Sequence, residues 1–237
     1  MVCKAGLIFL GTILTSAVSL ADIITLATSP AAMGANDTVT WSQLGPDGTT
    51  IPNPFSAAST AGKSISGAFS SSTGMVAVAG TSWTPVTGDF SAGDSLIWSF
   101  DAAQNAGTGP VSFTFPSGFG AGAAIQADAP GQFTAMIELF NGAMSLGSAT
   151  RTSDSAGDAM FIGALDNLPN VTRAVFSLSA AGPNVNNSSN YLGDFALDTL
   201  YLQNPPFNPA PEPSSLFLVG GVVVAVGYRL RRAQRSI

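Results

Sequence analysis

Residues 111–115 read Val111-Ser112-Phe113-Thr114-Phe115, with an apolar side chain at every second position and a hydroxyl between. A period of two puts all three apolar groups on one face of an extended chain, which is the signature of a half-buried β-strand. The same alternation recurs through the chain. Leu96, Trp98 and Phe100 share a face, as do Phe133, Ala135, Ile137 and Leu139. Met160, Ile162 and Ala164 form a third set, and Ala174, Phe176 and Leu178 a fourth. Clusters of Gly, Pro, Asn, Asp and Ser separate these runs. Weaker candidates lie at 39–41, 64–69 and 75–79. Nothing between them repeats at the helical period. Short alternating strands separated by turn residues predict an all-β domain of about nine to eleven strands, folded as a single jelly-roll-like β-sandwich.

The run Phe195-Ala196-Leu197-Asp198-Thr199-Leu200-Tyr201-Leu202 breaks its own alternation. Phe195 and Leu197 share one face, whereas Leu200 and Leu202 lie on the other. A bulge at Asp198-Thr199 is expected, because one extra residue would turn all four inward.

Composition narrows the function classes. Charged residues are 9% of the 237, against a usual share of about 25%. Ser, Thr, Asn and Gly must therefore supply the polar surface. Between Asp22 and Ala210 stand thirteen acids and three bases, Lys63, Arg151 and Arg173, a net charge of −10. Such a body is not a nucleic-acid binder, which needs clustered Lys and Arg to neutralise phosphate. The one cysteine, Cys3, lies ahead of the first apolar run, so the body has no disulfide, thiolate nucleophile or cysteine-based metal site.

Both ends read as addresses. Lys4, an apolar stretch at 5–14 and the small residues Ser19 and Ala21 make a secretory signal, with cleavage expected after Ala21. An uncleaved anchor would need a longer apolar run. Toward the other end, residues 203–213 carry Pro205, Pro206, Pro209, Pro211 and Pro213. Proline at that density favours an extended stalk. Residues 216–228 are then continuously apolar, and Arg229, Arg231, Arg232 and Arg235 follow. Positive residues beside an apolar segment stay cytoplasmic. The expected organisation is a signal peptide at 1–21, the β-sandwich at 22–202, a stalk at 203–213, a transmembrane helix at 214–230 and a basic cytoplasmic tail at 231–237.

Pro211-Glu212-Pro213-Ser214-Ser215, the apolar run and the arginine cluster, in that order, resemble the sorting signal of bacterial PEP-CTERM proteins. The resemblance covers about 27 residues at the end of the sequence. It implies processing by exosortase, a membrane cysteine protease-transpeptidase, with Pro211, Glu212 and Pro213 as the recognised motif. It further implies export through the Sec machinery, a transient stay in the inner membrane, and delivery to the surface or matrix of a bacterium that makes exopolysaccharide. More softly, Gly120-Ala121-Gly122 with the segments around Ala124 to Asp128 and Gly131 to Ala135, and Asp194-Phe195-Ala196-Leu197-Asp198, are similar to the bodies of other PEP-CTERM proteins. That class brings no general activity with it.

The body itself offers little chemistry. It has no histidine, so no Ser-His-Asp triad and no histidine-based zinc site. Glu138 is its one glutamate, on the strand face opposite Phe133 and Ile137, and is expected at the surface. Calcium is the one cofactor the acids could serve, through Asp89 with Asp94, Asp154 with Asp158, or Asp194 with Asp198. Asp194 and Asp198 are the first choice for the metal. The competing reading is that each aspartate caps its own turn. Trp41, Trp83, Trp98, Tyr191 and Tyr201 are the aromatics that could stack on sugars. Trp98 is expected in the core and Trp83, outside any clear strand, exposed. The expected function is a non-enzymatic structural or adhesive part of an extracellular polysaccharide matrix. The alternatives are a carbohydrate-binding module, calcium-dependent or not, and a glycan-processing enzyme with two cleft-facing carboxylates.

Overall fold

The computed structural model describes residues 23–70, 74–83, 90–100, 109–128, 131–181 and 194–206. The signal with Ala21, Asp89, Tyr191, the Pro211-Glu212-Pro213 motif, the apolar tail segment and the tail arginines lie outside the described residues. Contacts divide the chain into Met1–Asn204 and Pro205–Ile237. Every described strand belongs to the first unit.

The described residues form thirteen strands. They are β1 (Thr25–Ala27), β2 (Asp37–Val39), β3 (Phe55–Ala58), β4 (Ser64–Phe69), β5 (Gly74–Ala79), β6 (Ser95–Phe100), β7 (Val111–Gly118), β8 (Gly120–Ala127), β9 (Phe133–Asn141), β10 (Met144–Thr152), β11 (Met160–Leu165), β12 (Val171–Ala181) and β13 (Phe195–Gln203). One four-residue helix, α1 (Pro30–Met33), follows β1; Ser29 Oγ accepts from Ala32 N at its start, and Gly34 ends it at φ +62°. Among the described residues no helix is long and apolar enough to cross a membrane.

The strands build two antiparallel sheets. Sheet I runs β1-β11-β8-β13-β6-β5, with β2 also paired to β13, and sheet II runs β10-β9-β12-β7-β4-β3. From β6 onward the pairings nest: β6 with β13, β7 with β12, β8 with β11, and β9 with β10. From β6 to β13 the described strands thus follow one long hairpin, wound so that successive pairs fall alternately in sheet I and sheet II. That path is a jelly roll.

The core lies between the sheets. The apolar faces of β7, β9, β11 and β12 predicted from their alternation are all buried there. Trp41, in the 3₁₀ turn Trp41–Leu44 after β2, is 0% exposed and stacks on Phe113 at 5.2 Å. It is a core residue and not a sugar platform. Phe55 and Phe176 meet Phe113 edge-on at 6.3 and 5.8 Å.

β13 contains the bulge. Leu197 pairs with Ile125 and Leu200 with Ala123, so Asp198 and Thr199 together oppose the single residue Ala124. Phe195, Leu197, Leu200 and Leu202 all enter the core as a result.

The alternation of β6 is real, but its apolar face points the other way. Ile97 lies in the core between the sheets, whereas Leu96 and Trp98 sit on the outer side of sheet I. A strand with apolar groups on both faces cannot declare which face is inward, and here a second layer covers the outer one. β8 has no legible period in the sequence because Gly120-Ala121-Gly122-Ala123 has no bulky side chain to show one. Its small residues are needed where they stand. A Cβ on Gly122 would come within 2.5 Å of Phe161 Cζ and 2.9 Å of Gly163 Cα.

Candidate functional site

Asp194 stands directly before β13 and Asp198 in its bulge, four residues apart in the sequence. The acid that Asp198 feels is Asp94. Burial raises the Asp198 pKa above the ordinary value, and the charge of Asp94 raises it further. Asp94 closes a turn, accepting from Ser91 N at 2.7 Å. Asp154 does the same with Gly157 N at 2.8 Å and Asp158 N at 3.0 Å. The Asp158 amide first, helped by that of Gly157, holds Asp154 below its ordinary pKa against the opposing effect of burial. Among the described residues no three acids, cysteines or histidines gather into a metal site.

Glu138 points away from the core and accepts from Ser145 Oγ at 2.6 Å. It belongs to the outer face of sheet II, which is broad and rich in hydroxyls. One register line across it reads Ser56, Ser66, Thr114, Arg173, Phe140. Arg173 lies 3.8 Å above the Phe140 ring. Farther along, Thr134 and Thr152 join their hydroxyls across β9 and β10 at 2.9 Å.

The outer face of sheet I is built otherwise. A second 3₁₀ turn, Gly80–Ser82, carries Trp83 back over β6 and β8. Trp83 is 5% exposed, so the expectation of an exposed platform does not hold. Its indole N–H donates to Gln126 Oε1 at 2.7 Å. Gln126 is itself fully buried and donates from Nε2 to Gly157 O at 3.0 Å. A glutamine on the outer face of a sheet strand thereby becomes the seat of the tryptophan. Trp83 meets Trp98 edge-to-face at 6.1 Å and 73°, and Phe90 at 6.2 Å. Leu96 and Ala196 complete the buried part of this second layer.

Beside the two indoles lies an open cavity of about 380 Å³, lined by Asp47, Gly48, Val76, Val78, Ser82, Trp83, Trp98 and Asp128. Its two acids differ. Asp47 is exposed and committed to the turn: Oδ2 accepts from Ser82 Oγ at 2.5 Å and Oδ1 from Ala79 N at 3.1 Å. Ser82 first, then Ala79, holds its pKa below the ordinary value. Asp128 is half-buried at the end of β8. Burial pushes its pKa up to about 6, against the pull of a hydrogen bond from the Trp98 indole. Asp47, Gln126 and Asp128 escape a reading of the sequence, because the cavity is assembled from four separate segments, at 47–48, 76–83, 98 and 126–128. The only local signal is an aspartate directly after a strand, which is commonplace.

No curated protein and no solved structure matches the chain. Residues 209–232 match the PEP-CTERM protein-sorting motif, which spans the Pro211-Glu212-Pro213 tripeptide, the apolar run and the first three tail arginines. The chain therefore carries a PEP-CTERM protein-sorting motif, which implies export to the cell surface and processing by exosortase.

Proposed function

We propose that the protein is a structural or adhesive component of an extracellular polysaccharide matrix. It is exported through the Sec machinery, held briefly in the inner membrane by its apolar tail, and released by exosortase. In this reading Pro211, Glu212 and Pro213 are the recognised motif, Arg229, Arg231, Arg232 and Arg235 fix the orientation, and the body catalyses nothing. The observation that carries it is the sorting motif at 209–232 on a β-sandwich with a broad hydroxyl-bearing sheet. Extended sheets of Ser and Thr present donors and acceptors suited to polyhydroxylated polymers. The test is fractionation of cells expressing the tagged chain with and without the tripeptide. The intact chain belongs in the matrix fraction, and the deletion in the inner membrane. Equal retention in the membrane would refute the sorting role.

The cavity at Trp83 and Trp98 favours a second reading, a carbohydrate-binding module. The same cavity holds two acids, as a glycan-processing enzyme would require. Asp47, however, has both oxygens engaged by Ser82 and Ala79. That argues for a turn-fixing acid over a reacting one.

A further inference from the structure

We propose that the cavity beside Trp83, Trp98 and Asp128 binds a small organic ammonium ion. The inference is independent of the sorting role.

Three observations carry it. First, the walls are the right kind. Two indoles set at 73° form a corner, and ring faces attract a cation placed within about 6 Å of their centroids. The cavity, about 380 Å³, falls in the range of small-molecule sites. Second, the acid in that corner has no base beside it among the described lining residues. Asp128 is half-buried, and burial is the dominant influence on it. Third, the body cannot supply the missing cation. Its three bases are Lys63, Arg151 and Arg173. Lys63 sits in the turn between β3 and β4 of sheet II. Arg151 donates to the carbonyls of Thr28 and Phe161. Arg173 lies over Phe140.

A cationic ligand would restore the charge balance that burial removes from Asp128. Asp47, on the rim, adds a second negative charge and repels anions. An anionic ligand finds no base among the described lining residues, and a neutral one leaves Asp128 uncompensated. Val76 and Val78 form an apolar floor that suits the carbon substituents of an ammonium ion better than a hydrated metal ion.

The test is titration of the exported body with choline, followed by tryptophan fluorescence and calorimetry. The control ligand is 3,3-dimethyl-1-butanol, which has the same shape without the charge. Saturable choline binding at least tenfold tighter than that of the alcohol is expected. Asp128→Asn should weaken choline at least tenfold and leave the alcohol unchanged. Glu138→Gln, on the outer face of sheet II and away from the cavity, should change neither. Circular dichroism and thermal unfolding confirm that each variant is folded, and Trp98→Leu provides a second lesion in the same corner. Absence of saturable choline binding, equal binding of the two ligands, or full affinity in a folded Asp128→Asn variant would overturn the proposal.

Discussion

The indole nitrogen of Trp41 donates to the carbonyl oxygen of Asp198 at 2.9 Å, tying the turn after β2 to the bulge in β13. A bulge leaves a backbone group outside the ladder, and a buried carbonyl without a donor is costly. Trp41 supplies the donor while its ring fills the core against Phe113. The bulge and the tryptophan therefore stabilise one another.

Trp41→Phe keeps most of the ring and loses the donor. It should cost about 1–2 kcal/mol and lower the melting temperature by about 2–6 °C. Trp41→Ala also opens a cavity and should cost about 3–5 kcal/mol. Thermal unfolding of the two variants separates the hydrogen bond from the packing.

Deleting Thr199 removes the extra residue opposite Ala124. Phe195, Leu197, Leu200 and Leu202 would then share one face of a regular strand. The deletion should fold cooperatively with reduced stability, whereas Leu200→Asn, which buries an amide in the core, should be far more damaging. Denaturant unfolding of both checks the order. A deletion worse than Leu200→Asn would contradict the register.

Gly122→Ala should destabilise by about 1–3 kcal/mol, since the new methyl meets Phe161 and the backbone at Gly163. Shortening the ring in a Gly122→Ala, Phe161→Leu double variant should recover part of the loss. Melting curves of Gly122→Ala, Phe161→Leu and the double variant beside the wild type measure this coupling.

Stability should peak in mildly acidic solution. Asp128 has its pKa raised to about 6 in the folded state, so the folded protein holds this proton more tightly than the unfolded chain. Its contribution is therefore fully present below about pH 4 and is lost as pH rises through about 6. Asp198, also raised, acts in the same direction. Asp47 and Asp154 are lowered, by Ser82 and by the Asp158 amide first. Asp37 is lowered as well: burial opposes the shift, but bonds from Ser59, Ala61, Thr60 and Thr38 prevail. Those three stabilise above the unfolded value near 4 and lose their effect as pH falls through their folded values. Melting temperatures at pH 3, 4.5 and 7.5 should be highest at 4.5. Asp128→Asn should shrink the drop between 4.5 and 7.5.

The parts of the fold legible in the sequence were those where one face is apolar and the other is not. β7 and β9 declared themselves in this way, and the broken alternation of β13 announced its bulge. β6 showed its period but not its direction, because Leu96 and Trp98 are as apolar as Ile97 and a second layer hides them. β8 was silent because its function is close approach, which needs the absence of side chains. Trp83 looked exposed because it lies in no strand, yet Gln126 holds it down from a strand 43 residues away in sequence. The cavity could not be read at all, since no short spacing links Asp47, Trp83, Trp98 and Asp128.

The most direct test of the sorting account is the intact mass of the form released from cells. The account predicts a chain that begins at Asp22 and ends within the stalk or near Pro213, without the apolar run and its arginines. Deleting Pro211-Glu212-Pro213 should leave that tail attached. A released or membrane-bound form that keeps its full tail whether or not the tripeptide is present would contradict it.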